Sequence, residues 1–274
     1  MRENLQPLIR AENLVKRYSR PRLSGPKTSV TALDGVSLSI NHRKTLALVG
    51  ESGSGKSTLA LCLACLEPVT SGKIVFDGLD LSQLSAKQLR PMRPHMQLVF
   101  QDPSVSLNPR FTALEIVAEP WEVQQRYSRR EWSNRARTLL ERVGLSPDVL
   151  ERRVSEFSGG QRQRLAIARA LALDPELLIL DEALSALDCS TQAQIANLLM
   201  DLQSSLGLTY LFVTHDFAMA AHLADDIAVM ERGRIVECGD SANVLRYPQH
   251  AATRSLLAAA PRIAGPALEV RGPV

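Results

Sequence analysis

The feature that most narrows the possible folds is one turn, Gly50-Glu51-Ser52-Gly53-Ser54-Gly55-Lys56-Ser57. It fits the pattern G-x-x-x-x-G-K-[ST]. Thr45 to Val49, just before it, is a short and nearly continuous apolar run, suited to a strand buried on both faces of a parallel sheet. Ser57 to Leu66, just after it, is an apolar helical stretch. A strand, a glycine-rich turn and a helix in that order make a cradle for phosphate. The glycines let the chain turn until successive N–H groups face phosphate oxygens, and the helix adds its positive end. Gly50, Ser52, Gly53, Ser54, Gly55 and Thr58 are expected to line the cradle. Lys56 should reach the β- and γ-phosphates, and the Ser57 hydroxyl should bind Mg²⁺.

A second apolar run, Leu177 to Leu180, ends in Asp181 and Glu182. At the tip of a buried strand Asp181 can hold the water shell of Mg²⁺, and Glu182 can take a proton from an attacking water. Two acids at a strand end can also be merely solvated; the phosphate cradle upstream favours the chemical role. Further strands are expected at Leu8 to Tyr18, Val30 to Ile40, Met96 to Phe100, Leu208 to Val213 and Ile227 to Met230. A loop, Ser19 to Ser29, separates the first two. From Thr112 to Leu173 the pattern turns helical, with capping boxes at Thr112–Glu115 and Ser128–Glu131. Strands alternating with helices around a helical insert imply an α/β core carrying an α subdomain.

Composition removes whole classes. The 274 residues are 45% hydrophobic and 22% charged, too apolar for a disordered chain. The formal charge of +3 and the aromatic content of 4% do not suggest a nucleic-acid binder or a base-stacking platform. No apolar run approaches the roughly 18 residues of a membrane span. Met1 to Arg10 lacks a signal-peptide core, so a cytoplasmic chain is expected. The four cysteines, Cys62, Cys65, Cys189 and Cys238, are then most simply buried thiols. Cys62-Leu63-Ala64-Cys65 reads as core packing, with no second pair to complete a zinc site.

Ser158-Gly159-Gly160-Gln161 opens the last helical run. It fits a capping box, and a plain helix start would explain it. Paired glycines are costly there unless the backbone must approach something closely, which a second anion site would supply.

Together these segments resemble the nucleotide-binding domain of an ABC transporter, from about Leu8 to about Leu245. The resemblance implies a P-loop NTPase core of the RecA-like type with an antiparallel β subdomain and an inserted helical subdomain at about 102–170. Residues 246–274 would form a C-terminal extension, weakly ordered from about Pro261. Ser158 to Gln161, just upstream of the Asp181-Glu182 strand, is the specific part of the match; Phe157 stands where the family usually has Leu. Gln101 resembles the glutamine that senses Mg²⁺ and the attacking water. Ser185-Ala186-Leu187-Asp188 resembles the loop that crosses the dimer interface. His215 resembles the histidine that contacts the γ-phosphate, and Tyr18 the aromatic residue that stacks on adenine. Ala183 and Leu184 replace the usual Pro-Thr, a change that could alter the local turn.

In this family the phosphate loop of one subunit faces the Ser-Gly-Gly-Gln turn of a second, a copy or a paralogue, and ATP closes the dimer. Asp102 to Arg110 resembles the segment of peptide and nickel importer ATPases that lies near the membrane permease subunits. Tyr247 to Leu257 partly matches the tail signature of that group, with Ala251-Ala252 in place of Pro-Tyr. The tail has no cysteine beyond Cys238, so no iron–sulfur cluster is expected. The resemblance implies a peripheral ATPase at the cytoplasmic face of the membrane, powering a permease fed by a periplasmic or extracellular solute-binding protein. A soluble ATPase of translation or DNA repair usually carries two such domains or a long coiled coil. A P-loop kinase would lack Ser158–Gln161 and His215.

Overall fold

The computed structural model describes residues 6–20 and 28–259. In chain order the strands are β1 (Ile9–Arg20), β2 (Thr28–Ile40), β3 (Thr45–Val49), β4 (Ser71–Phe76), β5 (Leu79–Asp80), β6 (Met96–Val99), β7 (Leu177–Asp181), β8 (Thr209–Thr214), β9 (Asp226–Glu231) and β10 (Arg234–Asp240). The helices are α1 (Lys56–Leu63), α2 (Ala86–Leu89), α3 (Pro103–Ser106), α4 (Ala113–Val123), α5 (Arg129–Arg142), α6 (Gly159–Leu171), α7 (Cys189–Leu206), α8 (Phe217–Leu223), α9 (Ser241–Arg246) and α10 (Ala251–Ala259).

Two sheets result. One is antiparallel, in the order β2-β1-β4-β5. The other runs β10-β9-β3-β8-β7-β6, parallel from β9 to β6, with β10 turned back on β9 as a hairpin. The central strands β3, β7 and β8 are buried along nearly their whole length and apolar between their ends because both faces are covered, and their side-chain alternation divides the interior in two. Leu46, Leu48, Leu177, Ile179, Leu211 and Val213 point to a core shared with α1 and the antiparallel sheet. Ala47, Val49, Leu178, Leu180, Tyr210 and Phe212 point to a core shared with α4 to α7. A one-residue slip in any of these strands would exchange the two sets.

The helices between β6 and β7 start where their caps dictate. Thr112 Oγ1 accepts from Glu115 N–H at 3.2 Å, and Thr112 N–H donates to Glu115 Oε2 at 2.7 Å. Glu131 Oε2 accepts from the N–H and the hydroxyl of Ser128 at 2.9 and 2.8 Å. Trp121 is fully buried among these helices and donates to the Ala172 carbonyl, so its indole N–H is not lost.

Several expectations are corrected. The first helix ends at Leu63 rather than Leu66, because Cys65 turns left-handed at φ 53°. The polar segment after the expected Met96 to Phe100 strand, which reads as a loop, contains a short helix, α3, whose first turn is capped by Asp102 accepting from Ser104 N–H. Only Cys62 is fully buried: Cys65 is half-buried, while Cys189 and Cys238 are exposed. Cys189 opens α7 and Cys238 lies on β10, which is paired only with β9, places that residue identity alone does not reveal. The loop expected at Ser19 to Ser29 is framed by the ends of β1 and β2, and its residues 21–27 lie outside the described residues, as does the tail from Pro261.

Candidate functional site

The phosphate loop bridges β3 and α1 and is pressed against two other segments. A Cβ on Gly50 would sit 2.2 Å from the Met230 carbonyl oxygen. Gly55, at φ 109°, would put a Cβ 2.5 Å from the Ala32 carbonyl oxygen. Glycine is therefore required at both places. The loop is also tied to the β9–β10 turn, where Gly233 N–H donates to the Ser54 carbonyl at 2.8 Å. Helix α1 starts at Gly55 with no side-chain cap, so its first amides remain for an anion. Among the described residues the buried Ser54 hydroxyl has no partner either.

Lys56 is 4% exposed, and its ammonium donates to the carbonyls of Gly50 and Glu51 at 2.7 and 2.9 Å. Burial pushes its pKa down, while the nearby carboxylates of Glu182 and Asp181 pull it up. A cation with carbonyls for partners and carboxylates for neighbours fits a phosphate chain that would complete its neutralisation.

Asp181 closes β7 beside Ser57, whose hydroxyl donates to Asp181 Oδ1 at 3.0 Å. Burial raises the pKa of Asp181, and the bond from Ser57 opposes that rise. A hydroxyl and a carboxylate this close suit a hard cation such as Mg²⁺. Among the described residues no group of three or more His, Cys, Asp and Glu side chains could hold a metal alone. Phosphate oxygens and waters would have to complete the shell, as Mg²⁺ prefers.

Glu182 follows at φ 48°, a left-handed conformation unusual for glutamate. Its N–H donates to the Val213 carbonyl at 3.0 Å, and its carboxylate lies 3.7 Å from His215 Nδ1 at the end of β8. The Ser185 hydroxyl donates to the Glu182 carbonyl at 2.9 Å and accepts from Gln101 Nε2 at 3.3 Å. Ends of β3, β6, β7 and β8 thus bring Lys56, Ser57, Gln101, Asp181, Glu182 and His215 together at one edge of the parallel sheet, as ligand sites in α/β sheets do.

Other expected residues stand apart. Ser158 caps α6: its hydroxyl accepts from Gln161 N–H at 3.3 Å, and its own N–H donates to Gln161 Oε1 at 3.0 Å. Among the described residues no hydrogen bond joins Ser158 to Gln161 with the phosphate loop. A Cβ on Gly160 would meet the Thr191 methyl at 2.5 Å, so contact with α7 inside the same chain already requires one of the two glycines. Asp188 caps α7, accepting from Thr191 N–H and hydroxyl at 2.9 and 2.7 Å. Backbone and hydroxyl donation from Thr191 hold its carboxyl below the usual range. Tyr18 lies on β1 opposite Val30, 37% exposed, with the Lys16 ammonium 4.8 Å from its ring centre. Gln192, which no sequence pattern picks out, borders the cleft with Glu182 and His215.

Residues 33–185 match the family model described as ABC transporter. A protein of Sinorhizobium fredii described as a probable peptide ABC transporter ATP-binding protein is 49% identical, over 93% of this chain and 72% of its own length. The chain belongs to the ABC transporter family. The dipeptide transport ATP-binding protein DppF of Escherichia coli is 44% identical over 94% of this chain and 78% of its own. The ATP-binding cassette MJ0796, solved as a dimer after hydrolysis with ADP and Pi, superposes with a TM-score of 0.76 at 31% identity, covering 85% of this ABC chain and 98% of the other. The fold is that of an ABC ATPase cassette, and the chain is an ATPase of this family. No helix among the described residues is long and apolar enough to cross a membrane.

Proposed function

We propose that this chain is the ATP-hydrolysing subunit of a peptide importer, seated at the cytoplasmic face of the membrane and working as a head-to-tail dimer with a copy or a paralogue. The observation that carries the ATP-hydrolysing part of this reading is the convergence of Lys56, Ser57, Asp181, Glu182 and His215 on one sheet edge. The amides of the phosphate loop and Lys56 bind the phosphate chain, and Tyr18 stacks on the adenine. Ser57 and Asp181 would hold Mg²⁺, which would supply positive charge to offset that of the phosphate chain. Glu182 takes the proton of a water as its oxygen attacks the γ-phosphorus. The bond to the β,γ-bridging oxygen breaks, giving ADP and phosphate. His215 and Gln101 orient the water and the γ-phosphate, and Asp188 joins the dimer contact.

The partner's Ser158-Gly159-Gly160-Gln161 turn would close the site by aiming the start of its α6 at the γ-phosphate. The peptide assignment follows the relatives' descriptions; nickel is the other solute of that importer group. Permease docking has its own support. A groove between β6 and the helices is lined by Leu66, Arg93, Phe100, Ser106 and Arg169, beside the 85% exposed Val105. Glu182→Gln should keep ATP affinity within about twofold and lose more than about 100-fold in hydrolysis; near-normal turnover in that variant overturns the reading. Affinity purification from native membranes should recover permease subunits. Recovery of ribosomes or repair factors would favour a soluble role instead.

A further inference from the structure

We propose that Gln192 is a positioning residue for Glu182, acting through the turn that joins β7 to α7. This rests on the reading of Glu182 as the proton acceptor. The left-handed backbone of Glu182 persists only if its surroundings over-determine it. One side of the restraint is the parallel sheet, through the bond from Glu182 N–H to Val213. The other is the turn itself. Ser185 donates to the Glu182 carbonyl from both its N–H, at 3.1 Å, and its hydroxyl, at 2.9 Å.

The turn in turn needs a fixed point, and Gln192 provides it. Its amide Nε2 donates to the Leu184 carbonyl at 2.9 Å from the first turn of α7, an 18-residue helix. The same carbonyl accepts from Leu187 N–H at 3.2 Å. Ala183 and Leu184 are 1% and 3% exposed, so their side chains anchor the turn in the core without proline's fixed φ. Gln192 ties the turn to α7 as the bond from Gln101 to Ser185 ties it to the end of β6, and together they stop it from rotating about that anchor. Next to it Thr191 touches Gly160, so the helix that sets the Glu182 turn also bears on the start of α6.

The test is Gln192→Met, which keeps length and volume and removes the donor, alongside Gln192→Glu, which sets a carboxylate against the Leu184 carbonyl. Both are measured in the full chain with the subunits that copurify with it. In Gln192→Met, kcat should fall about five- to tenfold, roughly one hydrogen bond's worth, with the KM for ATP within about twofold. Vanadate trapping should fall in step while binding of a fluorescent ATP analogue holds, and Gln192→Glu should lose more. An unchanged kcat in Gln192→Met overturns the proposal. So does a parallel loss of kcat, ATP affinity and thermal stability, which marks a merely structural role. If Glu182→Gln is inactive and Gln192→Met is normal, only this proposal fails. If Glu182→Gln turns over normally, the assignment of Glu182 fails first.

Discussion

The chain contains two glycine-rich turns that open helices, and they solve the same problem in opposite ways. The phosphate loop leaves α1 uncapped, with Gly55 left-handed, Ser54 unpartnered and Lys56 buried against backbone carbonyls. The turn before α6 satisfies itself, since Ser158 and Gln161 cap each other. The first is finished by a ligand; the second is complete as a fold element and offers only the amides of Gly159 and Gly160 at the surface. A glycine-rich helix start therefore says little by itself. What matters is whether the chain's own side chains already fill the amides.

The sharpest way to break this contrast is Lys56→Ala. It removes the cation from the unfinished turn and should weaken ATP binding on the order of a hundredfold, read by equilibrium titration with a fluorescent analogue. Loss of less than about threefold would show that the loop amides suffice. Gly160→Ala is next. The added methyl meets Thr191 and should cost about 1–3 kcal/mol in chemical unfolding. Thr191→Ser, which deletes the opposing methyl and retains the hydroxyl that bonds Asp188, should recover most of that loss. Failure to recover would place the strain elsewhere. The smallest effect belongs to Ser158→Ala. Loss of the cap should cost about 1 kcal/mol, a melting shift of about 2–4 °C, with ATP binding to the isolated chain unchanged.

The parts of the molecule legible in the sequence are those decided over a few residues. The phosphate loop, the apolar β7 run ending in Asp181-Glu182, and the caps at Thr112, Ser128 and Ser158 depend on local spacing, and each occurs where its pattern places it. What spacing does not carry is which elements touch. Paired glycines suit an anion site, and spacing gives no sign that Gly160 is also required by a methyl on Thr191, 31 positions away and on another helix. Gln192 is an ordinary helix residue until α7 brings it under Leu184. The exposure of Cys189 and Cys238 depends likewise on where their elements sit, not on residue type.

Glu237 on β10 shows how the end of the described chain is held. Its carboxylate accepts from the N–H groups of Gln249 and His250 at 2.8 and 2.9 Å and from the Thr253 hydroxyl at 2.5 Å, and Thr253 is fully buried. Burial opposes its ionisation, but the donations from Gln249, Thr253 and His250 outweigh it and hold the carboxyl below its ordinary range. The C-terminal segment is thus a bound peptide whose receptor lies in the same chain. Its attachment is at full strength above the ordinary glutamate pKa of 4.5 and fades as falling pH passes the depressed value. A chain ending before Tyr247 would present that receptor with its anion bare, so the tail signature doubles as a seal that the domain supplies to itself.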